Sequence, residues 1–235
     1  MWWVVIIIMK VLACVAVVMA AVISVSDIPY SSSELELAAD PDTKLDFMGM
    51  CRNHGYDVES YTVTTEDGYQ LLVFRIPNGK ATQDEVLTRS SAKPVVFLQH
   101  GILDSADTWV NNSPDLAPAF ILADAGYDVW VGNSRGNYYS RHNTKLDPDK
   151  DKEAFWDFSW TDMGLYDLPA VITKALDVSG AKKLSYIGHS QGTTQMFYAL
   201  SKNEDYFLER VNLFVALGPV TNLANGKSEL LSIVA

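Results

Sequence analysis

An α/β architecture with a mostly parallel central sheet and an N-terminal antiparallel hairpin is what this 235-residue chain predicts. Three observations carry the prediction. Two β-type stretches flank Thr65-Glu66-Asp67-Gly68, apolar runs of strand length follow at four places, and helix-length segments separate those runs. With 48% hydrophobic and 20% charged residues the chain can bury a sizeable core, in one large domain or two small ones.

In chain order, Met1 to Val25 holds one charge, Lys10, and Val11–Val25 is apolar apart from Ser24. With small residues at Ser24 and Ser26, residues 1–26 read as a signal peptide cleaved before Asp27. A membrane anchor is the rival, and a charge in mid-run argues against it. Residues 27–45 are a polar tether, and the main domain spans 46–235. Asp67-Gly68 marks a hairpin within Tyr56–Ile76, and Asn78–Lys93 is a polar loop. Val95–Leu98 after Pro94 is a strand covered on both faces. A helix over Leu116–Ala125 ends at Gly126 and a strand follows over Tyr127–Val131. Asp162–Val178 has helical spacing with Gly180 as its stop, Leu184–Ile187 is a third buried strand, Thr193–Leu200 is helical, and Val211–Leu217 is the fourth strand.

The net charge of −11 becomes −12 once Lys10 leaves with the leader, which disfavours nucleic acid and anionic membranes as partners through bulk charge. Cys14 also leaves, so Cys51 has no intrachain partner. The four histidines are far apart in sequence and no Cys/His ligand spacing occurs, so neither a metal nor a cofactor is expected. Asn111-Asn112-Ser113 is an N-glycosylation sequon, with Pro114 directly after it.

Ligands of such sheets lie beyond the carboxyl ends of the strands, which selects three tips: His100–Asp104, Gly132–Asn137 and Gly188–Gly192. Gly188-His189-Ser190-Gln191-Gly192 fits G-x-S-x-G between a buried strand and a helix, the context of a nucleophile elbow with Ser190 at its apex. The backbone N–H groups of Gln191 and Ile102 are then candidates for an oxyanion hole, each worth about 3 kcal/mol of transition-state stabilisation. His100 reads as a buried brace for that loop rather than the base. Gly132–Asn137 lacks the order of a phosphate-binding loop and reads as a tight turn at the rim. Phe155–Trp160 is an aromatic cluster that reads first as core and second as an acyl-binding surface.

The chain resembles the acid lipase family, the eukaryotic gastric and lysosomal lipases of α/β-hydrolase fold. The resemblance rests on Asn53-His54-Gly55-Tyr56, Thr65-Glu66-Asp67-Gly68-Tyr69, Val95 through Ile102 and Ala123 through Trp130. It continues in Gly132 through Asn137, Tyr166 through Ala170 and Gly188 through Thr194. It implies hydrolysis of triacylglycerols or cholesteryl esters in the lysosomal or extracellular lumen, transient contact with a lipid interface, Ser190 as nucleophile, and Gln191 and Ile102 as oxyanion donors. The oligomeric state stays open.

The family's order is Ser, then Asp, then His. Here 45 residues follow Ser190, none of them histidine, and the acids among them are Glu204, Asp205, Glu209 and Glu229. None of these matches the family's acid position. The expectation is therefore a hydrolase domain cut before its acid, its histidine and its last strands, nearly inactive by itself because serine needs a base. The alternative is a secreted, catalytically inactive lipid-binding or regulatory protein on the same scaffold.

Overall fold

The computed structural model describes residues 41–80 and 93–222. The expected leader, most of the tether, most of the polar loop and Glu229 lie outside the described residues. The chain divides into two units, 1–43 and 44–235; of the first, the described residues are the opening of a 3-10 turn, Pro41–Lys44. No helix among the described residues is long and apolar enough to cross a membrane.

The second unit opens with α1 (Phe47–Asn53), whose N-cap Asp46 accepts a hydrogen bond from the Gly49 N–H at 2.7 Å. Then come β1 (Glu59–Thr64), β2 (Tyr69–Ile76), β3 (Val95–Gln99), α2 (Pro118–Asp124), β4 (Asp128–Val131) and a two-residue β5 (His142–Asn143). A short α3 (Lys152–Trp156) and α4 (Trp160–Asp162) precede a π-helical turn, Met163–Asp167, and α5 (Leu168–Ser179). The described residues end with β6 (Leu184–His189), α6 (Gln191–Lys202), α7 (Glu204–Arg210) and β7 (Val211–Leu217).

The sheet runs β1-β2-β4-β3-β6-β7, with β5 added to β2. β2 is antiparallel to β1, β4 and β5, whereas β3 is parallel to β4 and β6, and β6 to β7. A single strand among the described ones therefore runs against the rest, and the expected mostly parallel sheet is found. The hairpin turn has three loop residues, Glu66-Asp67-Gly68, closed by the Thr65 N–H on the Tyr69 carbonyl at 2.8 Å, with Gly68 at φ 97°.

Alternation along the strands fills a core on each face. Val96, Leu98, Val129 and Val131 pack with Phe47, Phe120 and Ala123 of α1 and α2. Val95, Phe97, Trp130, Leu184 and Tyr186 pack with Ile172, Met196 and Phe207 of α5, α6 and α7. Both faces of β3 and β4 are covered, which is why those strands read as continuous apolar runs. Cys51 is buried in the first core as a free thiol, and burial pushes it up to about 12.

The helix expected from Asp162 to Val178 is interrupted. Pro169 lacks an N–H and its ring would collide with the carbonyl one turn earlier, so the backbone widens into the π turn just before it. The helices α1, α3 and α7, of seven, five and seven residues, were too short to show helical periodicity in the sequence.

Candidate active site

After β3 the chain leads to β4 on one side of it, and after β6 to β7 on the other. The strand order therefore reverses between β3 and β6, and the loops beyond their tips frame the crevice where such sheets bind ligands. His100–Asp104 follows β3, and Ser190 follows β6 directly as the N-cap of α6.

Ser190 sits at φ 49°, ψ −115°, outside the ordinary regions for an L-residue. Such backbone costs on the order of 1–3 kcal/mol and persists only where the surroundings enforce it. Here the Ser190 N–H donates to the Leu217 carbonyl of β7 at 2.9 Å, and Thr193 Oγ1 donates to the Ser190 carbonyl at 2.6 Å. The buried Tyr186 hydroxyl donates to the Gly192 carbonyl at 2.9 Å.

The two glycines of the motif are required by close approach. A Cβ on Gly188 would stand 2.7 Å from the Gly192 carbonyl, and one on Gly192 would stand 2.6 Å from the Gln99 carbonyl. The approach at Gly101 is close but less severe, its imagined Cβ 3.2 Å from the Ser190 Cβ and 3.3 Å from His189 Nδ1. The oxyanion loop thus lies directly against the serine.

A serine at an N-cap ordinarily accepts from the first helical turn. Ser190 makes no such side-chain bond, which leaves its hydroxyl available. Among the described residues, the N–H groups of Ile102 and of Gln191, the first residue of α6, are likewise engaged by no other group. Ser190, Gln191 and Ile102 therefore lie on adjoining segments beyond the tips of β6 and β3, with a hydroxyl and two amide donors uncommitted.

None of the histidines serves that hydroxyl. His100 is 2% exposed, with Nδ1 on the Gly101 carbonyl at 2.7 Å and Nε2 receiving the Ser134 N–H at 3.0 Å. Burial holds its imidazole below the usual histidine range. His189 faces solvent beside Gly101, His54 packs edge-on to Phe120, and His142 pairs with Gln70 in the sheet. Glu204, Asp205 and Glu209 lie on α7, facing outward.

Beneath the site runs a polar network that sequence reasoning missed. Ser134 Oγ accepts from the side-chain amides of Gln99 at 3.0 Å and Gln195 at 3.2 Å. Asn133 Oδ1 accepts from the Ala106 N–H at 3.0 Å and from Asn137 Nδ2 at 2.8 Å, tying the loop after β4 to the one after β3. The buried Arg135 guanidinium meets Asp67 of the hairpin turn at 2.5 Å and Asp167 of the π turn at 2.7 Å, with its charge 4.1 Å from the Tyr69 ring centre. Burial pushes the Asp167 carboxyl above the usual range while Arg135 pulls it back. A buried charge demands partners, and that was the one signal Arg135 offered; its partners stand 68 and 32 residues away. The Gly132–Asn137 segment is thus a tight, largely buried loop, where a loop edging the site was expected.

The aromatic cluster splits. Phe155 is core against Tyr69, Phe158 flanks Arg135, and Trp156 is partly exposed. Two open depressions of about 420 and 490 Å³ lie elsewhere on the surface, the first by the α5–β6 turn and the second along β1. Neither is lined by Ser190.

Comparison with known proteins shows the family of the fold. The model of a partial alpha/beta-hydrolase lipase region matches residues 47–113, and that of the alpha/beta hydrolase fold matches residues 94–231. The lipase lipl-1 of Caenorhabditis elegans is 47% identical over 192 residues, 82% of this chain and 46% of that protein. The gastric triacylglycerol lipase of Homo sapiens is 47% identical over 188 residues, 80% of this chain and 46% of its own length. Lipase member K of Homo sapiens is 44% identical over 192 residues, covering 82% and 46%. The chain spans about half the length of the curated relatives it matches.

Proposed function

We propose that this chain, which belongs to the α/β-hydrolase fold family, carries the nucleophile half of a lipase-type serine ester hydrolase. Ser190 Oγ attacks the ester carbonyl as a general base, which the described residues do not provide, takes its proton. The N–H groups of Gln191 and Ile102 receive the developing oxyanion, and its collapse expels the alcohol, which takes that proton and leaves the acyl group on Ser190. The observation that carries this reading is the Ser190 backbone at φ 49°, with its hydroxyl uncommitted beside the oxyanion loop. The gastric triacylglycerol lipase among the relatives supports triacylglycerols as substrates. Cholesteryl esters, and a secretory route ending in the extracellular or lysosomal lumen, rest on the resemblance of the sequence to the acid lipase family. Contact with a lipid interface fits Leu103 and Tyr138, 73% and 85% exposed on the loops that follow β3 and β4. Asn111, which is exposed, is the proposed glycan acceptor.

By itself the 235-residue chain is proposed to be nearly inactive, because no imidazole reaches Ser190. Lack of a triad member leaves roughly 10³–10⁴-fold over the uncatalysed rate. That same lack favours the second reading, a lipid-binding protein without catalysis.

Fluorophosphonate labelling, with and without added imidazole as a surrogate base and with Ser190→Ala as control, separates the two. Labelling that needs imidazole and disappears in Ser190→Ala is the expected result. Rapid labelling without imidazole would show a base in place and end the inactivity claim. No labelling in either condition would remove Ser190 as the nucleophile.

A further inference from the structure

We propose that His100 is a positioning residue which aims the Ile102 N–H at the oxyanion by pinning the Gly101 carbonyl, and so sets one of the two donors without touching substrate. The inference rests on the reading of Ser190 and Ile102 given above.

The partners of the imidazole fix its tautomer. A backbone carbonyl only accepts and a backbone N–H only donates, so Nδ1 carries the proton towards Gly101 and Nε2 is the acceptor for Ser134. The Asn137 side-chain amide, 3.3 Å from Nε2, is a second donor of the same sense. His100 is therefore a neutral strut with one defined donor and one defined acceptor.

The Gly101 carbonyl and the Ile102 N–H belong to one planar trans peptide, in which C=O and N–H point in opposite directions. Fixing the carbonyl at 2.7 Å fixes the N–H. This peptide needs fixing, because Gly101 on its N-terminal side imposes little backbone preference. Leu103, two residues on, stands at φ 57°, a left-handed conformation that a leucine adopts only when the loop is held there.

A histidine that merely filled space would be served as well by any isostere. One that acts through Gly101 is not, and two variants divide its functions. In His100→Asn the amide nitrogen reaches the position of Nδ1 and can still donate to Gly101, while the acceptor for Ser134 is lost. In His100→Gln the amide oxygen reaches the position of Nε2 and can still accept from Ser134, while the donor to Gly101 is lost.

The test is the residual dipolar coupling of the Ile102 N–H, which reports its direction, measured in the ¹⁵N-labelled chain and both variants alongside imidazole-dependent labelling of Ser190. Reorientation of Ile102 in His100→Gln but not in His100→Asn is expected, with labelling slowed at least about tenfold more in the glutamine variant. An unchanged Ile102 vector in His100→Gln, or equal disturbance in both variants, would overturn the proposal and leave His100 a packing residue. If Ser190 of the unsubstituted chain never labels, the nucleophile assignment falls, and the Ile102 vector still decides the positioning claim by itself.

Discussion

The two halves of the site are supported in opposite ways. The oxyanion half hangs from β3, whose five residues are all buried, and rests on side chains sealed from water: His100, Gln99, Ser134 and Asn133. The nucleophile half hangs from β6, and its backbone leans on β7, where no residue is fully buried and Leu213 is 55% exposed. The same sheet thus gives one half a rigid polar bed and the other an edge strand open to solvent among the described residues. A strained residue such as Ser190 depends on neighbours that over-determine it, and here one of those neighbours, Leu217, belongs to the less protected strand.

The largest expected effect contrasts the two strands directly. Phe97→Ala opens a cavity in a fully packed core and should cost about 3–5 kcal/mol, whereas Leu213→Ala on β7 should cost under about 1 kcal/mol. Urea midpoints for the two variants check this; equal losses would mean that β7 is as well packed as β3, and the contrast would fail.

A smaller effect is expected where the two halves of the elbow are bolted together. Thr193 Oγ1 donates to the Ser190 carbonyl and accepts the Val220 N–H at 3.0 Å. Thr193→Val removes both bonds at nearly constant volume and should cost about 1–3 kcal/mol. Hydrogen exchange should locate the loss at Ser190 and Val220 and leave the β3 amides protected; a loss spread over β3 would show the halves to be one unit.

The smallest effect is a pH dependence confined to the oxyanion half. Burial lowers the folded-state affinity of His100 for a proton, His189 lowers it further, and the Gly101 carbonyl and Asp104 raise it. The unfolded chain takes up this proton near 6.5 and the folded chain resists until lower pH. The stability from this group is therefore complete above 6.5 and is lost as pH falls below it. Unfolding of the wild type and of His100→Asn at roughly pH 7.5 and pH 5.5 should show the smaller acid-induced loss in the variant; parallel losses would place the sensitivity elsewhere.

The sequence exposed the fold where the code is local and periodic. Apolar runs marked β3, β4, β6 and β7, Asp67-Gly68 marked the hairpin, and Gly180 ended α5 where its stop was expected. The elbow was legible because close backbone approach leaves glycine no substitute at 188 and 192. What escaped was either too short to show a period, as α1 and α7 are, or assembled from distant residues. Asp67, Arg135 and Asp167 carry no spacing that announces a meeting, and the Ser134–Gln195 contact joins positions 61 residues apart. The π turn was readable in principle, since Pro169 inside a helical pattern signals a disturbance, though not its kind.

The Arg135 cluster has a consequence for how the chain assembles. Its guanidinium cannot settle in the interior until the hairpin turn brings Asp67 and the π turn brings Asp167. Breaking such a buried group by removing one partner costs about 3–5 kcal/mol. A nascent chain that docks either segment out of register is left holding a naked positive charge in an oily interior. Arg135 thereby favours the one register in which both carboxylates reach it, and it ties the hairpin turn to the π turn.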